Sequence, residues 1–361
     1  MTDFRRRNLV ILGALACLSV IFAVTAVVMQ ARETASHFTP GEFLPGFSVR
    51  VKEAARIHIV SHDGSFDVLY APGKGWVLPA KGDYPADFEQ VRHTLIGLAA
   101  LETVAPKTAR RDWLSYIGLA APPKGSGIAI TVTDASGKVL AALITGNSAD
   151  LDNPEGGSGL FVRHAGDNHT YLARAIFTPH GDLSDWMERG VLNVEPTRVN
   201  SVTITPVTGP SFTVSREHNS DLNYKLEGTP APKGYTPSVT DIDTIPDLVD
   251  DFTFMDVKPV SQVDFSKAAH LAAHTFDSQN IHMDAAIVNG AVWVRVSAEP
   301  DPGTPTMQKQ EAAMIDARSA GWAYKLPADR GRFFTMQRDK LFTKATVSQP
   351  NPPQGAFPGV N

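Results

Sequence analysis

The chain has almost no cysteine, since Cys17 is the only one among 361 residues. Disulfides, thiolate metal sites and cysteine nucleophiles are therefore excluded from everything that follows it. Positive charge is not in surplus either: Lys and Arg number 33 against 38 Asp and Glu, for a formal net charge of −5, and the only run of three cations is Arg5-Arg6-Arg7. Because nucleic-acid binding requires a basic surface, we expect no nucleic-acid partner.

One long apolar run is present, from Leu9 to Met29. It contains no charged residue and is about long enough to cross a hydrocarbon core as a helix. Three arginines precede it, so the positive-inside rule places the N-terminus in the cytoplasm. We predict a cytoplasmic stub at residues 1–8 and a transmembrane helix at 9–30. The protein is then a single-pass inner-membrane protein with the bulk of its chain in the periplasm.

Three other interpretations of the run remain open. A cleaved signal peptide needs a small-residue cleavage site, which Met29-Gln30-Ala31 resembles poorly. A lipoprotein signal would use Cys17, but Ala14-Leu15-Ala16 is a poor lipobox and the apolar run continues beyond the cysteine. A buried core helix rarely follows a basic triplet at the extreme N-terminus.

The remaining chain contains one order of segments that occurs twice. We predict a tether at residues 31–55, a first unit at 56–177, a linker at 178–198, a second unit at 199–345 and a disordered, proline-rich tail at 346–361. Each unit consists of a hairpin, an aromatic strand, a helix that stops at Val-x-Pro, and two more hairpins. The alternative explanation is chance similarity among generic hairpins.

Hydrophobic spacing locates the main elements. In the first unit, Phe88, Val91, Leu95 and Leu98 predict a helix with one buried stripe. In the second unit, the apolar residues between 242 and 252 predict another helix, which is weakened by a proline at position 246.

The hairpins of the second unit have clear sequence signals. Asn289-Gly290 predicts a two-residue turn between two strands. A last hairpin is predicted from Trp322–Leu326 and Phe333–Met336. The predicted fold class is therefore α+β: an N-terminal transmembrane helix followed by two duplicated units of antiparallel hairpins with a packed helix.

Several short motifs resemble those of one bacterial family. They are Ile57-x-Ile59, Gly75-Trp76-x-Leu78, the helix at Asp87, Tyr116-Ile117-Gly118-Leu119, Ile144-Thr145-Gly146-Asn147, and Phe161-Val162-Arg163 with Thr170-Tyr171-Leu172. The family they resemble is a domain of unknown function found with auxiliary subunits of gliding-motility-type ABC transporters. The resemblance covers about residues 57–345. It implies an extracytoplasmic accessory domain near an exporter and no catalytic residues.

Histidines provide the first candidate site. His270 and His274 have the spacing of one helix face, and His282 could be a third zinc ligand. The segment between the first two lacks the glutamate of a metalloprotease signature, so surface histidines at the end of a short helix are the simpler interpretation. His58 and His62 are predicted on a strand, where about 13 Å separates them, too far to share an ion.

Three further patterns also have structural explanations. Gly156-Gly157-Ser158-Gly159 lacks a following helix and lysine, so we predict a hairpin spacer and not a phosphate loop. The acidic residues Asp241, Asp243, Asp247, Asp250 and Asp251 do not have calcium-loop spacing, and a solvated helix face is expected. Trp76, Trp113, Trp293 and Trp322 are expected to pack in the core, with a stacking platform for glycans or lipids as the alternative.

The sequence therefore predicts no catalytic residue, no metal and no cofactor. We expect a non-catalytic, membrane-anchored periplasmic accessory or scaffold protein whose partners are the inner membrane and membrane proteins such as ABC transporter subunits. The alternative is a periplasmic binding module for a lipid or glycan in a cleft between the two units. A hydrolase in which one of the three histidines meets an acidic residue is a third hypothesis.

Overall fold

The structure, a computed structural model, describes residues 39–151, 158–228 and 230–345. The predicted stub at 1–8, the predicted transmembrane helix at 9–30, the predicted tail at 346–361 and Gly156-Gly157 lie outside these ranges.

The described residues do not bear out the prediction of a transmembrane helix or of a single-pass inner-membrane protein. None of the helices in the described ranges combines the length and the apolar character that a membrane crossing needs. The 14-residue helix Thr306–Ser319 rises only about 21 Å, whereas a hydrocarbon core is about 30 Å thick.

Twenty strands occur in the described residues. Numbered in chain order, they are β1 Gly41–Glu42, β2 Ala54–Ser61, β3 Gly64–Ala71, β4 Gly75–Leu78, β5 Tyr84–Pro85, β6 Glu102–Pro106, β7 Ile128–Asp134, β8 Val139–Asp150, β9 Ser158–His164, β10 Thr170–Ala175, β11 Val199–Thr205, β12 Phe212–Ser215, β13 Lys225–Leu226, β14 Tyr235–Pro237, β15 Asp256–Pro259, β16 Ala269–Thr275, β17 Gln279–Val288, β18 Ala291–Pro300, β19 Trp322–Lys325 and β20 Phe342–Lys344.

Six α-helices are present in the same ranges. They are α1 Phe47–Arg50, α2 Phe88–Ala99, α3 Val239–Thr244, α4 Asp247–Asp250, α5 Thr306–Ser319 and α6 Ala328–Gly331. Only α2 and α5 among them exceed six residues.

The predicted α+β class is therefore also wrong, since the described chain is mostly antiparallel sheet with few helices. The physical reason is the alternation of side chains along the strands. In β16, Ala269, Leu271 and Ala273 are buried, whereas the residues between them point the other way. A period of two buries one face of a sheet and suits a helix poorly.

The chain divides into two compact units, and neither is a simple half of the sequence. Unit 1 contains the described residues up to Phe66 and Val91–Gly181; unit 2 contains Asp67–Gln90 and the described residues from Asp182 onward. The boundaries fall inside β3 and inside α2. The limits of 56–177 and 199–345, and the duplication, stay predictions.

Unit 1 is built around a sheet of long antiparallel strands. Seven of its strands lie side by side in the order β1-β6-β10-β9-β8-β7-β2. Ile57, Ile59 and Val132 point inwards from this sheet and are fully buried. Helix α2 buries Val91, Leu95 and Leu98 on its inner face, as the sequence spacing predicted, whereas Phe88 from the same predicted stripe is 59% exposed.

Unit 2 is built around an eight-stranded sheet with the order β13-β12-β11-β16-β17-β18-β19-β15. Strands β14 and β20 form a separate pair, and β4 pairs with β5. The longest pairing joins β17 to β18, where ten residues face ten residues up to the turn at Asn289-Gly290.

Residues 67–90 pack in unit 2 by means of an aromatic cluster around Tyr84. The ring of Tyr84 is 1% exposed and stands edge-on against Trp322 at 4.9 Å and Tyr324 at 6.3 Å between ring centroids. Its hydroxyl donates to the carbonyl of Glu188 at 2.7 Å. Lys81 forms an ion pair with Asp256 at 2.5 Å. These contacts explain why a segment from early in the sequence belongs to unit 2.

Candidate functional site

The predicted histidine group lies on strands and not on a helix. His270 and His274 both lie on β16, where four residues of strand separate them by about 13 Å. His282 lies on β17 directly opposite Ala272. Within the described ranges, no group of three or more His, Cys, Asp or Glu side chains could hold a metal ion.

His270 belongs to a hydrogen-bonded network on the polar face of the unit 2 sheet. Its Nδ1 lies 2.6 Å from Oδ1 of Asp284. The other carboxylate oxygen of Asp284 accepts from Arg295 Nε at 2.7 Å and lies 2.6 Å from its Nη2. Partial burial raises the pKa of Asp284, but the hydrogen bonds from Arg295 and His270 outweigh that effect and hold the pKa below its usual value.

His274 belongs to a second polar group on the same face. Its Nδ1 lies 2.8 Å from Oδ1 of Asn280, and the Asn280 amide donates to Asp301 at 2.6 Å. His270 and His274 are thus held by different neighbours.

The other predicted polar candidates are also separate from one another. His58 lies on β2, and His62 follows that strand with Nδ1 3.3 Å from the carbonyl of Pro123. Ser158 opens β9, in line with a hairpin and not with a nucleophile turn.

The five acidic residues of α3, α4 and their surroundings are partly matched by two arginines. Asp241 pairs with Arg332 at 2.5 Å, and Asp247 and Asp251 pair with Arg330 at 3.2 and 2.8 Å. The carboxylate of Asp243 accepts from the backbone N–H of Tyr224 at 2.7 Å.

Asp250 is the member of this acidic group with a strongly shifted pKa. Burial, followed by repulsion from Asp247 and Asp251, raises the pKa of Asp250 to about 6.

The predicted tryptophans differ in burial. Trp293 is buried, and the ammonium of Lys258 lies 3.8 Å from its ring centroid. Trp113 is half exposed in unit 1, with the guanidinium of Arg110 5.2 Å from its ring centroid. Trp76 meets Tyr70 edge-on, and Trp322 belongs to the cluster around Tyr84.

A groove along α5 was not predicted. It has a volume of about 390 Å³ and lies between α5 and the segment that contains Val191 and Asn193. Two methionines form its outer wall: Met307 is 70% exposed and Met314 is 51% exposed. Because they are seven residues apart on a helix, both point to the same side.

Charged side chains border this groove. Glu311 pairs with Arg198, whose Nη1 and Nη2 donate to its two oxygens at 2.8 Å each, and Arg198 also pairs with Asp277 at 2.9 Å. Arg318 donates through Nη1 to the carbonyl of Gly190 at 3.0 Å. The groove therefore combines a flexible apolar wall with a cation at one end. We call it the methionine groove.

The fold and this groove define a mostly antiparallel β protein with an exposed apolar surface. The sequence matches the family described as Domain of unknown function (DUF4340) over residues 76–278, more than half of the chain. The chain belongs to this family. No curated protein and no solved structure matches it.

Proposed function

We propose that this chain is a non-catalytic accessory subunit of an ABC-type transport complex, and that it binds its partner through the methionine groove. The observation that carries the proposal is the pair Met307 and Met314, two large apolar side chains exposed on the same side of α5. The assignment to a transport complex is supported by the motif resemblance around Trp76, Tyr116 and Phe161.

Methionine suits a surface that must fit a partner. Its unbranched thioether side chain is flexible and polarisable, so it adapts to irregular apolar shapes. Ile315 and Val191 form the floor and the opposite wall of the groove. Such a groove suits an amphipathic helix that places its apolar face between two walls.

The charges around the groove restrict further which partner helices can bind there. Glu311 is paired with Arg198, which Asp277 shares, whereas the contact of Arg318 is to a neutral carbonyl. Arg318 therefore places a positive charge at one end of the groove. We expect a partner helix with an apolar face and an acidic residue near one end, because complementary charges favour the correct register.

The test is co-purification of the tagged full chain with ABC transporter subunits from the native organism, quantified by mass spectrometry. The double variant Met307→Glu/Met314→Glu places two charges on the apolar wall. We expect it to reduce recovery of those subunits by at least about tenfold, since apolar anchors dominate such contacts. A photoreactive residue at position 314 should cross-link to one of them.

Met255→Glu is the matched control. Met255 is 61% exposed, belongs to unit 2 and lies outside the methionine groove. Wild-type recovery from the double variant, or an equal loss from Met255→Glu, contradicts the assigned surface. Failure of the wild-type chain to recover any transporter subunit contradicts the function itself.

A further inference from the structure

A second groove lies in unit 2, near the network of Asp284 and Arg295. Its volume is about 340 Å³, at the lower end of the roughly 300–1,000 Å³ typical of small-molecule sites. Strands β17 and β18 provide one wall, and the turn from Ser319 to Trp322 after α5 provides another. We call it the Arg295 groove.

The polar groups of this groove are held in place before any ligand arrives. Arg295 is fixed in two ways: Asp284 accepts from its Nε, and the ring of Phe265 lies below the guanidinium at 5.1 Å. Asp284 is in turn held by His270 at 2.6 Å. A fixed guanidinium and carboxylate lose little conformational entropy on binding, which favours affinity.

Further hydrogen-bonding capacity lies beside this pair. Ser297 also lines the groove and is two residues from Arg295 on β18, so both point to the same face about 7 Å apart. Arg295 has donors beyond those directed at Asp284, and each carboxylate oxygen can accept a second hydrogen bond. The groove thus offers both donors and acceptors, which hydroxyl groups can use at the same time.

The charge balance decides which ligands fit. Arg295 and Asp284 cancel each other at 2.6 Å. An anion such as phosphate would have to approach Arg295 against the repulsion of Asp284, and a cation would be repelled by Arg295. An uncharged ligand with several hydroxyl groups meets neither penalty.

Apolar groups complete the lining. Val260 and the partly buried Trp322 lie in the same groove as the ion pair. Tyr84 stands edge-on to Trp322 at 87° and fixes the indole. An aromatic or aliphatic wall beside hydrogen-bonding groups matches a sugar ring, which has apolar C–H faces and polar edges.

We infer that the Arg295 groove binds an uncharged sugar unit of a glycan. This site goes beyond the proposed accessory function and is centred on Asp284, Arg295 and Ser297, none of which lines the methionine groove.

The test is binding of glucose, cellobiose and chitobiose to the full chain, measured by saturation-transfer NMR and calorimetry, with glucose 6-phosphate as the charged comparison. We expect at least one neutral probe to bind with a Kd on the order of 1 mM or tighter. Asp284→Asn and Arg295→Gln should each weaken that binding by at least about tenfold, since each removes a charged hydrogen-bonding partner.

Ser297→Tyr is a second test of the site, because the larger side chain fills the groove and leaves the ion pair of Asp284 and Arg295 unchanged. Glu299→Gln is the matched control: it changes an exposed residue of the same strand outside the groove. Thermal unfolding shows which variants remain folded. The inference is overturned if none of the three neutral probes binds, if glucose 6-phosphate binds more tightly than they do, or if Ser297→Tyr binds as well as Glu299→Gln.

Discussion

At the scale of single residues, Asp250 shows how the fold changes the chemistry of one carboxyl group. Burial and the neighbouring Asp247 and Asp251 raise its pKa from an ordinary value of 3.8 to about 6. Between these two pH values the folded state binds more protons than the unfolded state. The contribution of Asp250 to stability is therefore greatest below pH 3.8 and falls as the pH rises through 6.

We predict that Asp250→Asn stabilises the protein at pH 7 and that this gain shrinks towards zero near pH 4. The amide carries no charge at either pH, so it avoids the cost of a partly buried carboxylate. We expect a gain of about 1 kcal/mol, reduced by solvent screening because the group is only partly buried. Urea unfolding at several pH values between 4 and 7 measures it.

Asp339→Asn is the control for this prediction. Asp339 is two-thirds exposed and lies 3.8 Å from Lys340, so its replacement should change stability little at either pH. A loss of stability in Asp250→Asn at pH 7 would show that the carboxylate is favourable where it lies.

The histidines show the limit of sequence reasoning at this scale. The segment from Ala269 to Thr275 contains three alanines, which fit a helix as well as a buried strand face. Four-residue spacing of His270 and His274 was therefore ambiguous. The contact of His270 with Asp284 depends on the pairing of β16 with β17, which only the folded sheet provides.

At the scale of elements, the turn between β17 and β18 follows directly from sequence. The prediction of a two-residue turn at Asn289-Gly290 is confirmed, with φ of 51° and 78° at these two residues. Both values lie in the left-handed region, as a type I′ turn requires.

We predict that Gly290→Ala destabilises the protein by about 1 kcal/mol, because a β-carbon is unfavourable in this region of backbone space. A β-carbon added at this residue would have no other atom within 4 Å, so the cost is conformational and not steric. Chemical unfolding measures the change. Gly41→Ala is the control, since Gly41 has the same open surroundings without a positive φ. Equal effects at both positions would refute the explanation.

Helix α5 shows why another element was missed. Its buried residues are Gln308, Ala312, Ile315 and Ser319, of which only one is a large apolar residue. Its two large methionines point outwards instead. The usual apolar stripe is therefore absent from the sequence, and the sequence predicts no helix there. The methionine groove could not be predicted because its helix was not.

Two other elements were predicted incompletely or wrongly. The helix expected between residues 242 and 252 is interrupted at Pro246, which separates α3 from α4. The expected hairpin of Trp322–Leu326 with Phe333–Met336 is wrong: β19 pairs with β15 and β18, and Arg332–Phe334 is a 3₁₀ turn. Aromatic side chains favour strands, but here Phe333 and Phe334 are buried from a turn.

At the scale of the whole molecule, the two units do not follow the order of the sequence. Unit 2 includes Asp67–Gln90, although most of it lies after Asp182. The periodicity of apolar residues could locate strands and α2, but it could not show that residues 67–90 belong to unit 2. That assignment depends on Tyr84 packing against Trp322 and Tyr324, which are remote in sequence.

We predict that Tyr84→Ala destabilises unit 2 selectively, by about 3–5 kcal/mol, because it removes a buried aromatic ring from a closed cluster. Hydrogen exchange measures this by region. Protection should fall in β18 and β19 of unit 2, whereas β7 and β8 of unit 1 should change little. Tyr70→Ala is the control, since Tyr70 is half exposed. Equal loss of protection in β7 and β8 would contradict the assignment of Tyr84 to unit 2.

The position of Tyr84 in unit 2 also has a consequence during protein synthesis. Residues 67–90 leave the ribosome more than 230 residues before the strand that carries Trp322 and Tyr324. Val91–Gly181 is complete long before unit 2 can close. The segment around Tyr84 therefore lacks its packing partners while the residues up to Tyr324 are made. Closing so long a loop slows folding. Newly made chains are thus exposed to aggregation and proteolysis at this segment until Trp322 and Tyr324 have been made.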